Sequence, residues 1–103
     1  MNAAVTMLEA QLKELDAIEQ DTVTHLNTIR GIEDMQKWKA RTAPLIAQQL
    51  GAVAAKRFTE TKPGPSFTND LFEEFSDEVD VYRTAIRTLI TEARQAGPAS
   101  GPV

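Results

Sequence analysis

The feature that most constrains the fold is a repeat of apolar side chains near the C-terminal end of the chain. Within residues 69–96 the apolar positions follow one another at alternating steps of three and four, and they are Phe72, Phe75, Val79, Tyr82, Ile86, Leu89 and Ala93. This spacing places them along one face of an α-helix, as in a helical bundle. Leu71 and Ile90 widen that face, and Asn69 is a favourable N-cap. The sequence therefore predicts a long amphipathic helix over 69–96.

A similar repeat opens the chain. Its apolar residues recur at steps of three and four, and they begin with Val5, Leu8, Leu12 and Leu15. The repeat predicts a first helix over residues 3–30, with Gly31 at its end, because glycine commonly follows the last residue of a helix. Glu19 and Thr22 are polar residues on the apolar face, so we expect a local irregularity near Glu19–Asp21.

The middle of the chain predicts a long helix followed by a short one. Residues 32–50 carry a broad apolar face that includes Trp38, and Pro44 within them predicts a kink. Gly51 marks a break, after which residues 52–60 are expected to form the short helix. Both helices contribute aromatic side chains to the predicted core, whose main residues are expected to be Trp38, Phe58, Phe72, Phe75, Tyr82 and Leu89.

Together these elements predict an all-α fold. The sequence has no alternating strand pattern and no hairpin turn signal. Short connections between long helices favour an antiparallel bundle of three long helices plus one short helix. Residues 1–96 are expected to form this bundle. Residues 97–103 are rich in glycine, proline and small side chains, and we expect them to be a linker or a frayed tail.

Composition argues against catalysis and against a metal site. The chain has 103 residues, no cysteine and one histidine, His25. Asp21 lies four residues before His25 and can pair with it, but a di-metal bundle needs histidines on two helices. Glycine-rich phosphate motifs and nucleophile motifs do not occur in the sequence. We therefore predict no enzyme activity, no catalytic residue, no metal and no cofactor.

Targeting signals are not visible in the sequence. It has no secretory signal and no apolar run of about 20 residues that could span a bilayer. The net charge of −4 argues against binding to nucleic acid. The default expectation is a cytoplasmic protein that acts neither on a membrane nor on nucleic acid.

Charged side chains are segregated along the chain. Residues 64–82 hold six acidic groups and no basic one, whereas residues 35–63 hold six basic groups and one acidic group. We define the acidic strip as Glu73, Glu74, Asp77, Glu78 and Asp80. Like charges four residues apart, as at Glu73/Asp77 and Glu74/Glu78, destabilise an isolated helix. The strip is therefore either a solvated face opposite the basic middle segment or a surface that binds a basic partner.

A second candidate site surrounds the tryptophan. Lys37 and Arg41 flank Trp38, and an indole with nearby cations can stack a base and hold a phosphate. Trp38 also lies on the apolar face of its helix, which favours a place in the core. The alternative function is a stand-alone helical oligomer that binds an anionic ligand such as a nucleotide through Lys37, Trp38, Arg41 and Arg57.

One family pattern is visible over residues 5–96. It consists of Trp38 followed by basic residues, the pair Leu50–Gly51, then Lys56–Phe58, and a last helix containing Tyr82–Ile90. This pattern resembles the small helical N-terminal module found ahead of TIR-like and other effector domains in bacterial abortive-infection and antiviral proteins. The resemblance implies a non-catalytic region that mediates assembly or partner contact for a downstream domain.

The sequence thus favours an interaction module over a catalyst. We predict a non-catalytic helical module for protein–protein interaction or oligomerisation, which the resemblance suggests is the N-terminal part of a bacterial defence effector. Its partner would be another protein or a second copy of the chain. The residues predicted to bind that partner are those of the acidic strip.

Overall fold

A computed structural model of the chain describes residues 2–63 and 70–96. Within these residues the regular elements are α-helices, namely α1 (Ala3–His25), α2 (Thr28–Leu50), α3 (Ala52–Thr59) and α4 (Leu71–Ala96). The predicted all-α class is confirmed for this part of the chain. The predicted tail at 97–103 and the predicted N-cap Asn69 lie outside the described residues. None of the described helices is both long and apolar enough to cross a bilayer.

The first helix ends earlier than predicted. It stops at His25, and Leu26 follows in the left-handed region with φ 53°. The side chain of Asn27 then caps α2 by accepting a hydrogen bond from the backbone N–H of Arg30 at 3.0 Å. The prediction of one helix over 3–30 was wrong because the apolar repeat continues through the two-residue corner without revealing it.

Gly31 does not end a helix, as the sequence suggested, but lies buried inside α2. A Cβ atom at this position would lie 2.4 Å from Oγ1 and 2.8 Å from Cγ2 of Thr22. Cε1 of Phe75 would be 3.1 Å away. The absence of a side chain therefore allows α1, α2 and α4 to approach closely at this point. Gly51 does have the terminating role predicted for it, since its φ of 99° suits glycine and separates α2 from α3.

The predicted irregularity near Glu19–Asp21 is also wrong. Helix α1 continues through these residues, and Thr22 is buried on its core face. The hydroxyl of Thr22 donates to the backbone carbonyl of Ile18 at 2.8 Å. A polar side chain satisfied within its own helix can occupy a core position without interrupting the helix. A kink was predicted at Pro44 in α2, and the helix continues through this residue without ending there.

An aromatic cluster joins the helices in the core. Trp38 on α2, Phe58 on α3 and Tyr82 on α4 have ring centroids 5.2–6.0 Å apart in edge-to-face arrangements. The indole N–H of Trp38 donates to the backbone carbonyl of Gln11 on α1 at 3.0 Å. The side-chain oxygen of Gln11 accepts a hydrogen bond from the buried hydroxyl of Thr42 at 3.2 Å. Trp38 therefore contacts residues from every other described helix.

Contacts between α1 and α4 connect opposite ends of the two helices. Arg94, near the end of α4, pairs with Glu9 near the start of α1 at 2.9 Å. Arg83 in the middle of α4 pairs with Asp16 at 2.9 Å and also with Glu19. The two helices thus run in opposite directions. The first turn of α4 consequently lies at the end of the molecule where α1 turns into α2.

Phe72 is the member of the predicted seam that the structure leaves out of the core. The other six residues of the seam are buried, whereas the Phe72 side chain is 37% exposed. Its described ring contact is with Phe75, whose centroid lies 6.2 Å away. Phe72 lies in the first turn of α4, at the end of the bundle, and the described helices leave its ring partly uncovered.

Candidate functional site

The acidic strip lies on the first half of α4 and comprises Glu73, Glu74, Asp77, Glu78 and Asp80. The helix is capped by Asp70, whose carboxylate accepts hydrogen bonds from the backbone N–H groups of Phe72 and Glu73 at 2.9 and 3.2 Å. Negative side chains are favoured in the first turn of a helix, but the effect fades within about one turn. The helix dipole therefore accounts for the start of the strip and not for its continuation.

Two residues of the acidic strip pair with cations of the same chain. A carboxylate oxygen of Glu78 accepts a hydrogen bond from Nζ of Lys39 on α2 at 2.9 Å. Asp80 accepts one from Nη1 of Arg83 at 2.6 Å. These contacts make Glu78 and Asp80 part of the internal charge balance, which is the solvated-face interpretation of the strip. The pair with Lys39 makes Glu78 a poor choice as a residue that binds a partner, whereas Asp80 shares Arg83 with Asp16 and Glu19.

The other three residues of the strip remain open, and we call Glu73, Glu74 and Asp77 the open carboxylates. All three are exposed. They have no cationic partner among residues 2–63 and 70–96, although Glu73 and Asp77 have the repulsive spacing of four residues. The structure thus reduces the predicted partner-binding set to these three side chains.

Elsewhere on the surface, carboxylates are matched with cations from neighbouring helices. The exposed interhelical pairs, with N···O distances of 2.9–3.1 Å, are Arg41–Glu14, Arg57–Glu92 and Arg94–Glu9. Exposed pairs of this kind stabilise a fold by at most about 1 kcal/mol each. These pairs show that several exposed carboxylates have a cation of a neighbouring helix opposite them. The open carboxylates have no such cation among the described residues. The basic middle segment was expected to face the acidic strip, and its contact with the strip is made by Lys39.

The alternative anion site does not assemble around its tryptophan. Trp38 is fully buried in the core, with no exposed surface. Its indole N–H is already bonded to a backbone carbonyl of α1. The ring therefore cannot stack on a ligand, and the interpretation of Trp38 as a stacking residue is wrong. Lys37, one residue earlier, is exposed.

The two arginines of the alternative site face different neighbours. Arg41 pairs with Glu14 on α1 at 3.1 Å. Arg57 forms a two-pronged pair with Glu92 on α4 at 3.0 and 3.1 Å. This pairing raises the pKa of Arg57 and lowers that of Glu92, chiefly through the hydrogen bonds between them. The two arginines predicted to hold a phosphate thus pair with carboxylates on different helices.

A polar cluster that the sequence did not predict lies beside the aromatic core. A shallow cavity of about 320 Å³ lies between α2, α3 and α4, and its wall includes Lys39 and Tyr82. Nζ of Lys39 is 5.1 Å from the ring centroid of Tyr82. The Tyr82 hydroxyl donates to the backbone carbonyl of Thr61 at 2.8 Å. The sequence feature that could have indicated this cluster is the position of Lys39 directly after Trp38, at the edge of the core face. Because Glu78 already neutralises Lys39, the cluster offers no free charge to a ligand.

The ionisation of Tyr82 provides a testable property of this cluster. Burial raises the pKa of Tyr82 above its ordinary value of about 10, and Lys39 opposes part of that rise. Because the pKa of Tyr82 is higher in the folded state than in the unfolded state, the folded protein keeps the phenolic proton to a higher pH. The free energy of unfolding should therefore fall as the pH rises above about 10.

Tyr82 is the single tyrosine of the chain, so phenolate absorbance reports its titration directly. We expect a midpoint above that of the unfolded chain. We also expect a steeper alkaline loss of stability in the wild-type protein than in Tyr82→Phe. A midpoint equal to that in denaturant would contradict the assignment of Tyr82 to a buried environment.

The pairing predicted for His25 is observed. Its Nδ1 atom lies 3.0 Å from Oδ1 of Asp21, and both side chains are exposed. In the part of the chain that the structure describes, no group of three or more metal-ligating side chains comes together. The Asp21–His25 pair is therefore a local contact on the surface of α1.

The residues that carry the resemblance to bacterial defence modules have clear structural roles here. Trp38 fills the core, and Gly51 separates α2 from α3. Helical proteins of many functions need residues in these roles, so they do not select one function. The chain matches no protein-family model, no curated protein and no solved structure.

Proposed function

We propose that this chain is a non-catalytic helical module for protein–protein interaction or oligomerisation. Its binding surface, in this proposal, is formed by the open carboxylates Glu73, Glu74 and Asp77, and its partner presents a basic surface. The supporting observation is that these exposed side chains repel one another and have no cation opposite them within the described residues. Lys or Arg side chains of a partner would remove that repulsion on binding.

The proposal includes an architecture and a cellular setting. We propose an antiparallel bundle of the three long helices with the short α3 at one corner, acting in the cytoplasm. The acidic surface favours a protein partner over nucleic acid, because carboxylates repel phosphate groups. No catalytic step and no cofactor are part of this function.

The resemblance to bacterial defence modules leads to a narrower form of the proposal. In that form, the module precedes an effector domain and brings copies or partners of it together. The native reading frame after Val103 tests this: an effector domain encoded there would support the narrower form, and a stop codon would argue against it. The binding role proposed for the open carboxylates does not depend on the outcome.

Charge reversal at Glu73 and Glu74 tests the proposed function. The probe is a fluorescein-labelled peptide of alternating lysine and serine, used at physiological ionic strength. We expect the double variant Glu73→Lys/Glu74→Lys to weaken peptide binding at least about tenfold, because two attractions become repulsions. Fluorescence anisotropy gives the Kd, and circular dichroism should show unchanged helicity because both side chains are exposed.

Glu60→Lys is the matched control. Glu60 is also exposed and has no cationic partner among the described residues, but it follows α3 and is not part of the acidic strip. We expect its Kd for the basic peptide to remain within about twofold of wild type. Because Glu60→Lys changes the net charge by two units and the double variant by four, a control that loses half or more of the binding free energy lost by the double variant would reduce the effect to net charge and contradict a localised site. Light scattering on the same samples reports any self-association.

A further inference from the structure

Exposed apolar side chains collect at the end of the molecule where α1 turns into α2 and α4 begins. Six large apolar side chains are exposed among the described residues, and five of them lie at this end. We call these five the corner patch: Val23, Leu26, Ile29, Leu71 and Phe72. The ring of Phe75 approaches Gly31 closely, which places the first turn of α4 beside the start of α2. Exposed apolar side chains that gather at one end of a molecule are candidates for a binding site.

Leu26 is the most informative member of the corner patch. It is 84% exposed, and its φ of 53° lies in the left-handed region that favours glycine or asparagine. Neither burial nor backbone preference therefore explains a leucine at this corner. Unfavourable backbone conformations of this type concentrate at binding sites. A contact outside the described residues would explain why an apolar side chain is present here.

The charges around the corner patch specify the chemistry of that contact. Glu73 and Glu74 directly follow Leu71 and Phe72 on α4, and both are open carboxylates. The cation Arg30 at this end is already opposite a carboxylate, that of Asp34, at 3.9 Å. The patch thus combines apolar side chains with unmatched negative charge. Its complement is a surface that combines apolar side chains with positive charge.

We propose that the corner patch binds a basic amphipathic segment of a partner protein, whose apolar side chains contact Leu26 and Phe72 while its lysines or arginines pair with Glu73 and Glu74. The proposal rests on the proposed function and adds the apolar half of the recognition. A second copy of this chain is a poor occupant. A two-fold contact through this patch would bring the same carboxylates of both copies together, and like charges across an interface oppose association.

Two labelled peptides of equal length and equal lysine content test the proposal. One carries lysines along one helical face and serines along the other, and in the second peptide leucines replace those serines to give an amphipathic helix. We expect wild-type protein to bind the amphipathic peptide at least about tenfold more tightly, which corresponds to burial of roughly one leucine-sized side chain. Fluorescence anisotropy measures both values of Kd.

Leu26→Asn and Phe72→Ser should each remove this preference. Binding of the amphipathic peptide should weaken about tenfold, while binding of the lysine–serine peptide stays unchanged. Leu26→Asn also separates binding from folding, because asparagine tolerates the left-handed conformation better than leucine. Its Tm should equal or exceed that of wild type. The matched control is Val53→Ser, since Val53 is 76% exposed but lies on α3.

The outcomes separate the two proposals. Loss of the preference in Leu26→Asn and Phe72→Ser, with Val53→Ser unchanged, supports the corner patch. Suppose that the two variants bind both peptides like wild type, whereas Glu73→Lys/Glu74→Lys binds them more weakly. In that case the proposal for the corner patch is wrong and the proposed function stands. Failure of wild type to bind either peptide overturns both. A concentration-dependent dimer by light scattering that Phe72→Ser abolishes would identify a second copy as the occupant and overturn the basic partner.

Discussion

Replacement of Trp38 by alanine should lower the free energy of unfolding by about 3–5 kcal/mol. The indole is fully buried and meets the rings of Phe58 and Tyr82 edge to face. It also donates the hydrogen bond to the Gln11 carbonyl on α1. The substitution leaves a cavity where the four helices meet and removes the hydrogen bond that joins α2 to the Gln11 carbonyl of α1. Natural domains have total stabilities of about 5–15 kcal/mol, so this loss is a large part of the whole.

Urea denaturation followed by far-ultraviolet circular dichroism measures the effect without relying on tryptophan fluorescence. Trp38→Phe is the informative companion, because it keeps an aromatic ring but removes the N–H donor. We expect its cost to be smaller than that of alanine and to include the lost hydrogen bond to the Gln11 carbonyl, about 0.5–1.5 kcal/mol, because that carbonyl keeps its hydrogen bond within α1. Val53→Ala, at an exposed position, should change stability by less than about 0.5 kcal/mol. A change below about 1 kcal/mol in Trp38→Ala would contradict its central place in the core.

Gly31→Ala should destabilise the protein by about 1–3 kcal/mol, although alanine is the better helix former. Helix propensity alone predicts a gain of about 1 kcal/mol at this position inside α2. The added methyl would lie 2.4 Å from Oγ1 and 2.8 Å from Cγ2 of Thr22. Because both atoms branch from the same Cβ, rotation of the Thr22 side chain cannot relieve both contacts. The two helices must separate instead.

A double-mutant cycle with Thr22→Ala tests that explanation. Removal of both branches of Thr22 should make room for the methyl group, so the double variant should be more stable than the sum of the single effects predicts. The coupling should be about 0.5–3 kcal/mol, as for residues in direct contact. Chemical denaturation of the four proteins supplies the data. Additive effects, or a more stable Gly31→Ala protein, would show that Thr22 does not limit the approach of α1 and α2.

The apolar spacing in the sequence correctly predicted the helix ends that a neighbouring residue marks. The C-terminal end of α2 at Leu50 and the start of α3 follow from Gly51. Glycine adopts the observed φ of 99° without the steric cost that a side chain would add. The apolar spacing of α4 is likewise local, because any helix formed by these residues aligns them on one side. Phe72 fits that spacing equally well. Its exposure depends on what the other helices place beside it, which its own neighbours along the chain do not reveal.

The α1–α2 corner shows the opposite case. Leu26 and Ile29 continue the apolar repeat, so periodicity extends the first helix to residue 30. The corner forms because Asn27 caps α2 and because Gly31 lets Thr22 and Phe75 approach. The latter contacts join residues from three helices. Only their combined packing distinguishes a glycine at a close approach from a glycine at a helix end.

The order of side chains along the chain was enough to establish the helical class, most of the apolar core and the presence of an acidic run on α4. These depend on spacing within single helices, which is a local property. Tertiary packing decided which carboxylates Lys39 and Arg83 neutralise, which stay open, and that Trp38 belongs to the core and not to a ligand site. The physical reason is that a charge is balanced, or an apolar side chain covered, by whatever lies next to it in space. For these residues those neighbours come from other helices.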